Sequence, residues 1–183
     1  LAIVLARSKD GPTLVVAPTS VCFNWRREAS RFTPNLNARV YAELPREARE
    51  EAVASAGPRD LVIVSYGLLV QDRLRFAAQR WTTLVLDEAQ AIKNPGAKQT
   101  RQVKMLSAAS RIALTGTPVE NRLGDLWSIF DFLNPGLLGP AKAFQRFCKA
   151  LAGGEHSYAP LRRLVQPYIL RRLKTDRSVI ADL

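Results

Sequence analysis

Short apolar runs rich in β-branched residues alternate along this chain with stretches whose apolar positions recur at helical spacing. That alternation predicts an α/β domain built on a parallel sheet. Thr13-Leu14-Val15-Val16-Ala17 is the first clear strand, and it stops at Pro18-Thr19-Ser20. A helix capped by Thr19 or Ser20 is expected next, because Val21, Trp25, Ala29 and Phe32 fall on one face. Arg39-Val40-Tyr41-Ala42 reads as a weaker strand, and a charged helix over Pro45–Ala56 runs up to Gly57-Pro58. Leu61–Ser65 and Thr83–Leu86 are strong strand patterns, with a helical stretch over Leu68–Gln79 between them. Asn94-Pro95-Gly96 breaks the chain before a helix expected over Ala97–Ala109, a strand at Arg111–Leu114 and a helix over Arg122–Leu133. Beyond Asn134-Pro135-Gly136 and Leu138-Gly139-Pro140 the pattern is helical only, with breaks expected at Gly153-Gly154, Pro160 and Pro167. The expected division is a sheet domain over 1–135 and a helical extension over 136–183.

Composition narrows the class. A chain of 183 residues suits one domain, and 47% hydrophobic with 23% charged residues is globular rather than disordered. No apolar run approaches the roughly 18–20 residues that cross a bilayer, so no membrane association is expected. Leu1–Arg7 lacks a signal peptide's order of charge before apolar core; it starts without Met inside an apolar segment and reads as a cut end. Cys22 and Cys148 lie far apart without a CxxC spacing, the pattern of free thiols in a reducing compartment. The single His156 rules out a His-rich metal site. No GxSxG elbow accompanies it, which argues against Ser–His–Asp chemistry.

Charge points to a partner. Lys and Arg number 27 against 16 Asp and Glu, a net charge of +11. Such an excess suits a polyanion, although a solubilising surface is the plain alternative. The distribution is uneven. Lys93, Lys98, Arg101, Lys104 and Arg111 occur between Ala91 and Arg111 without an acid, whereas acids outnumber bases from Tyr41 to Asp60.

Three strands end in small or polar residues: Ala17-Pro18-Thr19, Asp87-Glu88 and Thr115-Gly116-Thr117. In parallel α/β sheets ligands collect outside the carboxyl ends of the strands. Leu84-Val85-Leu86-Asp87-Glu88 is an apolar strand followed by two acids, an arrangement in which one carboxylate holds Mg²⁺ and the next acts on water. A plain helix cap is the competing reading of that pair. Trp25 and the set Trp127, Phe130 and Phe132 sit in amphipathic patterns and are expected in the core rather than as base-stacking platforms.

Asp87-Glu88-Ala89-Gln90 followed by LTGTPVENRLGDLWSIFDFLNPGLLG resembles motifs II and III of superfamily-two helicase-like ATPases, with a tail characteristic of Swi/Snf-type DNA translocases. LVVAPTSVCFNW, VSYGLL and YILRRLKTD resemble further motifs of that family, in its order. The resemblance implies a RecA-like (P-loop NTPase) parallel sheet flanked by helices, ATP and Mg²⁺ as cofactors, and double-stranded DNA as a partner held through its phosphates. It also implies a second RecA-like lobe in the same polypeptide and, as a further partner, a DNA-bound protein. By resemblance Asp87 binds Mg²⁺, Glu88 is the catalytic carboxylate, and Gln90 couples the nucleotide site to Thr115, Gly116 and Thr117. Pro18, Thr19, Ser20, Ser65 and Tyr66 then follow one DNA strand. Arg171, Arg172 and Lys174 fall near the inter-lobe cleft or DNA, or on a solvated helix. No GxxxxGK[ST] phosphate loop is present in these 183 residues. The expectation is therefore an ATPase in the longer protein and an inactive fragment by itself, in the nucleus or the nucleoid-bearing cytoplasm according to its source. A non-catalytic module descended from such a lobe, and a DEAD-box RNA helicase, are the competing classes. Gln90 and the Asn121–Gly139 segment weigh against the second.

Overall fold

The computed structural model describes residues 1–116, 123–152 and 158–170. Five parallel strands form one sheet in the order β2-β3-β1-β4-β5. They are β1 (Thr13–Ala17), β2 (Asn37–Val40), β3 (Asp60–Ser65), β4 (Trp81–Leu86) and β5 (Ala108–Ala113). Helices fill the connections: α1 (Ala2–Arg7), α2 (Thr19–Phe32), α3 (Arg49–Ala54), α4 (Tyr66–Gln71), α5 (Arg73–Ala78), α6 (Lys98–Lys104) and α7 (Leu123–Leu133). This is the α/β architecture that the alternating pattern predicts.

The central strands are buried on both faces, which is why they read as unbroken apolar runs rather than alternating ones. On one face Leu14, Val16, Val62, Val64, Leu84 and Leu86 pack with Tyr41, Phe76, Trp81, Ile129 and Phe132. On the other, Val15, Ala17, Leu61, Ile63 and Val85 meet Val4, Cys22, Ala29, Leu36 and Val40. Parallel register aligns the strand ends: Ala17 pairs with Ser65, Val16 with Leu86, and Leu86 with Ala113. The residues that follow β1, β3, β4 and β5 therefore emerge along one rim.

Several local expectations are corrected. The α6 pattern was expected to run through Ala109, but the helix stops at Lys104 and Ala108 opens β5. Ala-rich sequence favours helix, yet pairing with β4 captures it as a strand; tertiary context overrides propensity. The weaker strand lies earlier, at Asn37–Val40, and Tyr41–Glu43 forms a 3₁₀ turn. The charged helix splits into a 3₁₀ turn at Arg46–Ala48 followed by α3. Pro18, not Thr19 or Ser20, is the cap of α2, and no side chain bonds the free amides there. Phe32 is 58% exposed, and Cys22 joins Ala29 on the buried face of α2 instead.

The chain divides into two compact units, Leu1–Pro140 and Ala141–Leu183. The second, taken by itself, carries α8 (Ala141–Ala152), α9 (Ala159–Val165) and a 3₁₀ turn at Gln166–Tyr168. Pro160 sits in the first turn of α9, where its missing N–H leaves no bond unmade, so it starts a helix rather than breaking one. The break expected at Gly153-Gly154 lies outside the described residues.

Candidate nucleotide and nucleic-acid site

Asp87 and Glu88 follow the last residue of β4, and Thr115 stands two residues past the end of the neighbouring β5. Both ends lie at the same rim. The Leu114 amide donates to the Leu86 carbonyl at 2.8 Å, and the Ala89 amide donates back to the Leu114 carbonyl at 2.8 Å. Those two bonds lock the strand exits together.

The Asp87 carboxylate is held on both oxygens. The Trp25 indole N–H donates to Oδ2 at 2.8 Å, and the Glu88 amide donates to Oδ1 at 2.9 Å. Asp87 also accepts at its backbone carbonyl, from the Tyr66 hydroxyl at 2.9 Å. Burial, and then the charges of Asp87 and Glu88, push the Tyr66 phenol well above its ordinary 10.0, so it remains a neutral donor. Trp25 was expected only as core. Its half-buried ring does pack on the Cys22–Ala29 side of the sheet, yet its N–H reaches a residue 62 positions away. A half-buried indole needs a hydrogen-bond partner. That partner is set by β1 and β4 being neighbours, which no local pattern announces.

Glu88 has φ 49° and ψ 54°, the left-handed region that side-chain-bearing residues avoid. This conformation turns the chain sharply from strand to the 3₁₀ turn at Ala89–Ile92. The Gln90 amide donates to Glu88 Oε2 at 2.7 Å, and Gln90 Oε1 accepts from the Thr115 hydroxyl at 2.8 Å. Glu88, Gln90 and Thr115 thus form one hydrogen-bonded relay across two strand ends. Apart from Gly116 and its two chain neighbours, no described residue lies within 4 Å of where a Cβ on Gly116 would stand. Thr117 lies outside the described residues, as do Arg171, Arg172 and Lys174.

The donors at this rim are carboxylates and a hydroxyl, hard oxygens that suit Mg²⁺. Among the described residues no group of three or more His, Cys, Asp or Glu could enclose a metal. Mg²⁺ needs no such cage, because it binds through one or two carboxylates together with waters and substrate phosphates. The residues present fit that ion.

Pro18, Thr19 and Ser20 form the start of α2 at the end of β1, with Thr19 and Ser20 exposed. Ser65 and Tyr66 begin α4 at the end of the adjacent β3, but both are buried. The Ser65 hydroxyl accepts from the Leu68 amide as the helix cap. The basic stretch is divided. Lys93, Lys98 and Arg101 are exposed, whereas Lys104 pairs with Asp131 at 2.7 Å over the Trp127 ring. Arg111 donates to the carbonyls of Phe132 and Leu106. Phe130 and Phe132 are buried as expected, and half-buried Trp127 donates to the Gly139 carbonyl at 3.0 Å. No described helix is long and apolar enough to cross a membrane.

Comparison with known proteins places this geometry. The model of the SNF2-related domain matches residues 3–181. YwqA of Bacillus subtilis, whose name provisionally assigns it as an ATP-dependent helicase/translocase, is 41% identical over 94% of this chain and 19% of its own length. The TATA-binding protein-associated factor mot1 of Aspergillus fumigatus is 38% identical over 94% of this chain and 10% of its own. The chain thus spans a fifth or less of the length of these curated relatives. Among solved structures, the Sulfolobus solfataricus SWI2/SNF2 ATPase core in complex with double-stranded DNA superposes with a TM-score of 0.81. It is 38% identical, over 97% of this chain and 37% of that one. Motif order, a five-stranded parallel sheet and a family match over nearly the whole length agree: the chain belongs to the SNF2-related domain family.

Proposed function

We propose that this chain is part of the first RecA-like lobe of an ATP-dependent translocase on double-stranded DNA. In this reading residues 1–135 carry the nucleotide and DNA motifs, and 136–183 lead toward a second lobe of the same polypeptide. The observation that carries it is the relay Glu88–Gln90–Thr115 beside a carboxylate, Asp87, that is fixed on both oxygens. Asp87 would hold Mg²⁺, which when bound spreads the charge that builds on the transferred phosphoryl oxygens.

Glu88 would orient the attacking water and take its proton, and its left-handed backbone turns the chain off the strand end at that residue. Gln90 and Thr115 tie that carboxylate to the exit of β5, so movement of the Thr115–Thr117 segment alters how Glu88 is held. A module that only binds DNA has no use for a strained acid in such a relay. Thr19 and Ser20 offer hydroxyls and free helix amides to phosphates, contacts that position DNA without reading its sequence. Ser65 and Tyr66 would shape that track from beneath, since their hydroxyls are already engaged. A DNA-bound protein is the class of object such a motor would act on.

The test is steady-state ATP hydrolysis by the full-length protein, with and without duplex DNA. Glu88→Gln removes the charge with little change of shape. It should keep nucleotide binding and lower turnover by at least about 10²-fold. Wild-type turnover in that variant would refute the role given to Glu88.

A further inference from the structure

Two aromatic donors from two different helices converge on Asp87. Trp25 on α2 bonds its carboxylate, and Tyr66, the first residue of α4, bonds its backbone carbonyl. With the Glu88 amide on the other oxygen, the carboxylate is fixed in plane as well as in place. Each carboxylate oxygen can accept two hydrogen bonds, and each has one taken by these contacts. The other acceptor position on each oxygen suits a cation or its water shell.

Both helices also begin at the rim proposed to follow DNA. The first turn of α2 exposes Thr19 and Ser20, and α4 is capped by Ser65. Trp25 lies six positions beyond Thr19 on the same helix. At about 1.5 Å of rise per residue the two are only about 9 Å apart along the axis. Over so short a stretch a helix moves as a rigid body, so displacing its first turn displaces the indole. A packing role would need the ring of Trp25, not its N–H. Likewise, a packing role for Tyr66 would be met by phenylalanine.

We propose that Trp25 and Tyr66 are positioning residues that hold Asp87 for its metal ion and pass DNA engagement at α2 and α4 to that carboxylate. The proposal rests on the reading of Asp87 as the Mg²⁺ carboxylate. It predicts that outer partners of a metal ligand tune affinity, by about 10-fold when one is removed.

The experiment uses the full-length protein with Mn²⁺ as a paramagnetic probe and a non-hydrolysable ATP analogue, with and without duplex DNA. Mn²⁺ affinity is read by electron paramagnetic resonance, and folding by the melting midpoint. Wild type should bind Mn²⁺ more tightly when DNA is present. Trp25→Phe and Tyr66→Phe should each weaken Mn²⁺ binding about 10-fold and shrink the response to DNA, while the protein stays folded with its melting midpoint lowered by only a few degrees. Asp87→Asn distinguishes the two levels of the argument. If it binds Mn²⁺ like wild type, the metal reading of Asp87 fails and the proposal falls with it. If it loses Mn²⁺ while both aromatic variants match wild type in affinity and DNA response, the positioning role alone is overturned. Should Trp25→Phe fail to fold, Tyr66→Phe removes a single oxygen and carries the same test.

Discussion

The left-handed backbone at Glu88 yields a stability prediction that separates strain from chemistry. An L-residue at φ 49°, ψ 54° is disfavoured by about 1–2 kcal/mol because its Cβ crowds the following carbonyl. Glycine has no such crowding, but its unfolded chain is more flexible, which returns roughly 0.4–1 kcal/mol. Comparing Glu88→Gly with Glu88→Ala isolates these two terms, because both variants lose the Gln90 hydrogen bond at 2.7 Å equally. Glu88 precedes the 3₁₀ turn, so helix propensity does not enter. The glycine variant should therefore be more stable than the alanine variant by about 0.5–1 kcal/mol. For a domain of this size that is a rise in Tm of roughly 1–4 °C. Thermal unfolding followed by far-ultraviolet circular dichroism, with urea titration as a second route, measures it. An alanine variant more stable than the glycine one by about 0.4–1 kcal/mol would mean that the backbone at Glu88 is not strained. A glycine advantage would mean that the chain retains a stability defect at a position where the proposed reaction needs a carboxylate.

Other consequences are open to measurement. Lys98→Gln with Arg101→Gln should lower the salt slope of DNA binding by up to about 2, near 0.9 per lost phosphate contact. Lys104→Met should leave that slope unchanged while lowering stability by about 1 kcal/mol, because Lys104 is already paired with Asp131 at 2.7 Å; a lost slope there would place it on the DNA surface. Phe76→Ala should cost about 3–5 kcal/mol in urea unfolding, since Phe76 is fully buried between Tyr41 and Trp81; a loss under 1 kcal/mol would contradict that core. Stability should also fall on the alkaline side. Burial raises the Cys22 and Cys148 thiols above 9.0 and Tyr66 above 10.0, so below pH 9 they are protonated in both states and contribute nothing. Above it the unfolded chain releases protons that the folded chain retains, and unfolding is favoured as pH rises. Flat stability from pH 8 to 10.5 would refute those directions.

Most of the sheet was legible because three strands, β1, β3 and β4, are apolar runs bounded by turn residues, and β1 in Thr13–Ala17 matches its pattern end to end. What failed was local competition. Ala108-Ala109 has helical composition, and only its neighbour β4 makes it the start of a strand. Phe32 kept the helical spacing but fell on the exposed side. Asp87, Glu88 and Thr115 could be singled out because strand-end acids and hydroxyls are local features, and Gln90 only through the family resemblance of Asp87-Glu88-Ala89-Gln90. Their hydrogen-bonded relay is the new information, and Trp25 is the clearest residue passed over. Its pattern as an amphipathic helical residue was read correctly, but its bond to Asp87 depends on strand order. The split of the basic stretch was equally invisible, because Asp131 and the Phe132 carbonyl come from α7.

Strand order also sets how the chain must be assembled. β1 sits in the middle of the sheet, yet both of its partners, β3 and β4, are made later in the sequence. A nascent chain that has emerged only as far as Ala56 carries Leu14-Val15-Val16-Ala17 with neither edge paired. Such an apolar strand with open edges is a template for wrong partners. Pairing on the second edge waits until Trp81–Leu86 has appeared. Parallel pairings between segments so distant in sequence form slowly. The segment that becomes the centre of the core is thus the one that stays unprotected longest during synthesis, and it is where a chaperone would be expected to bind.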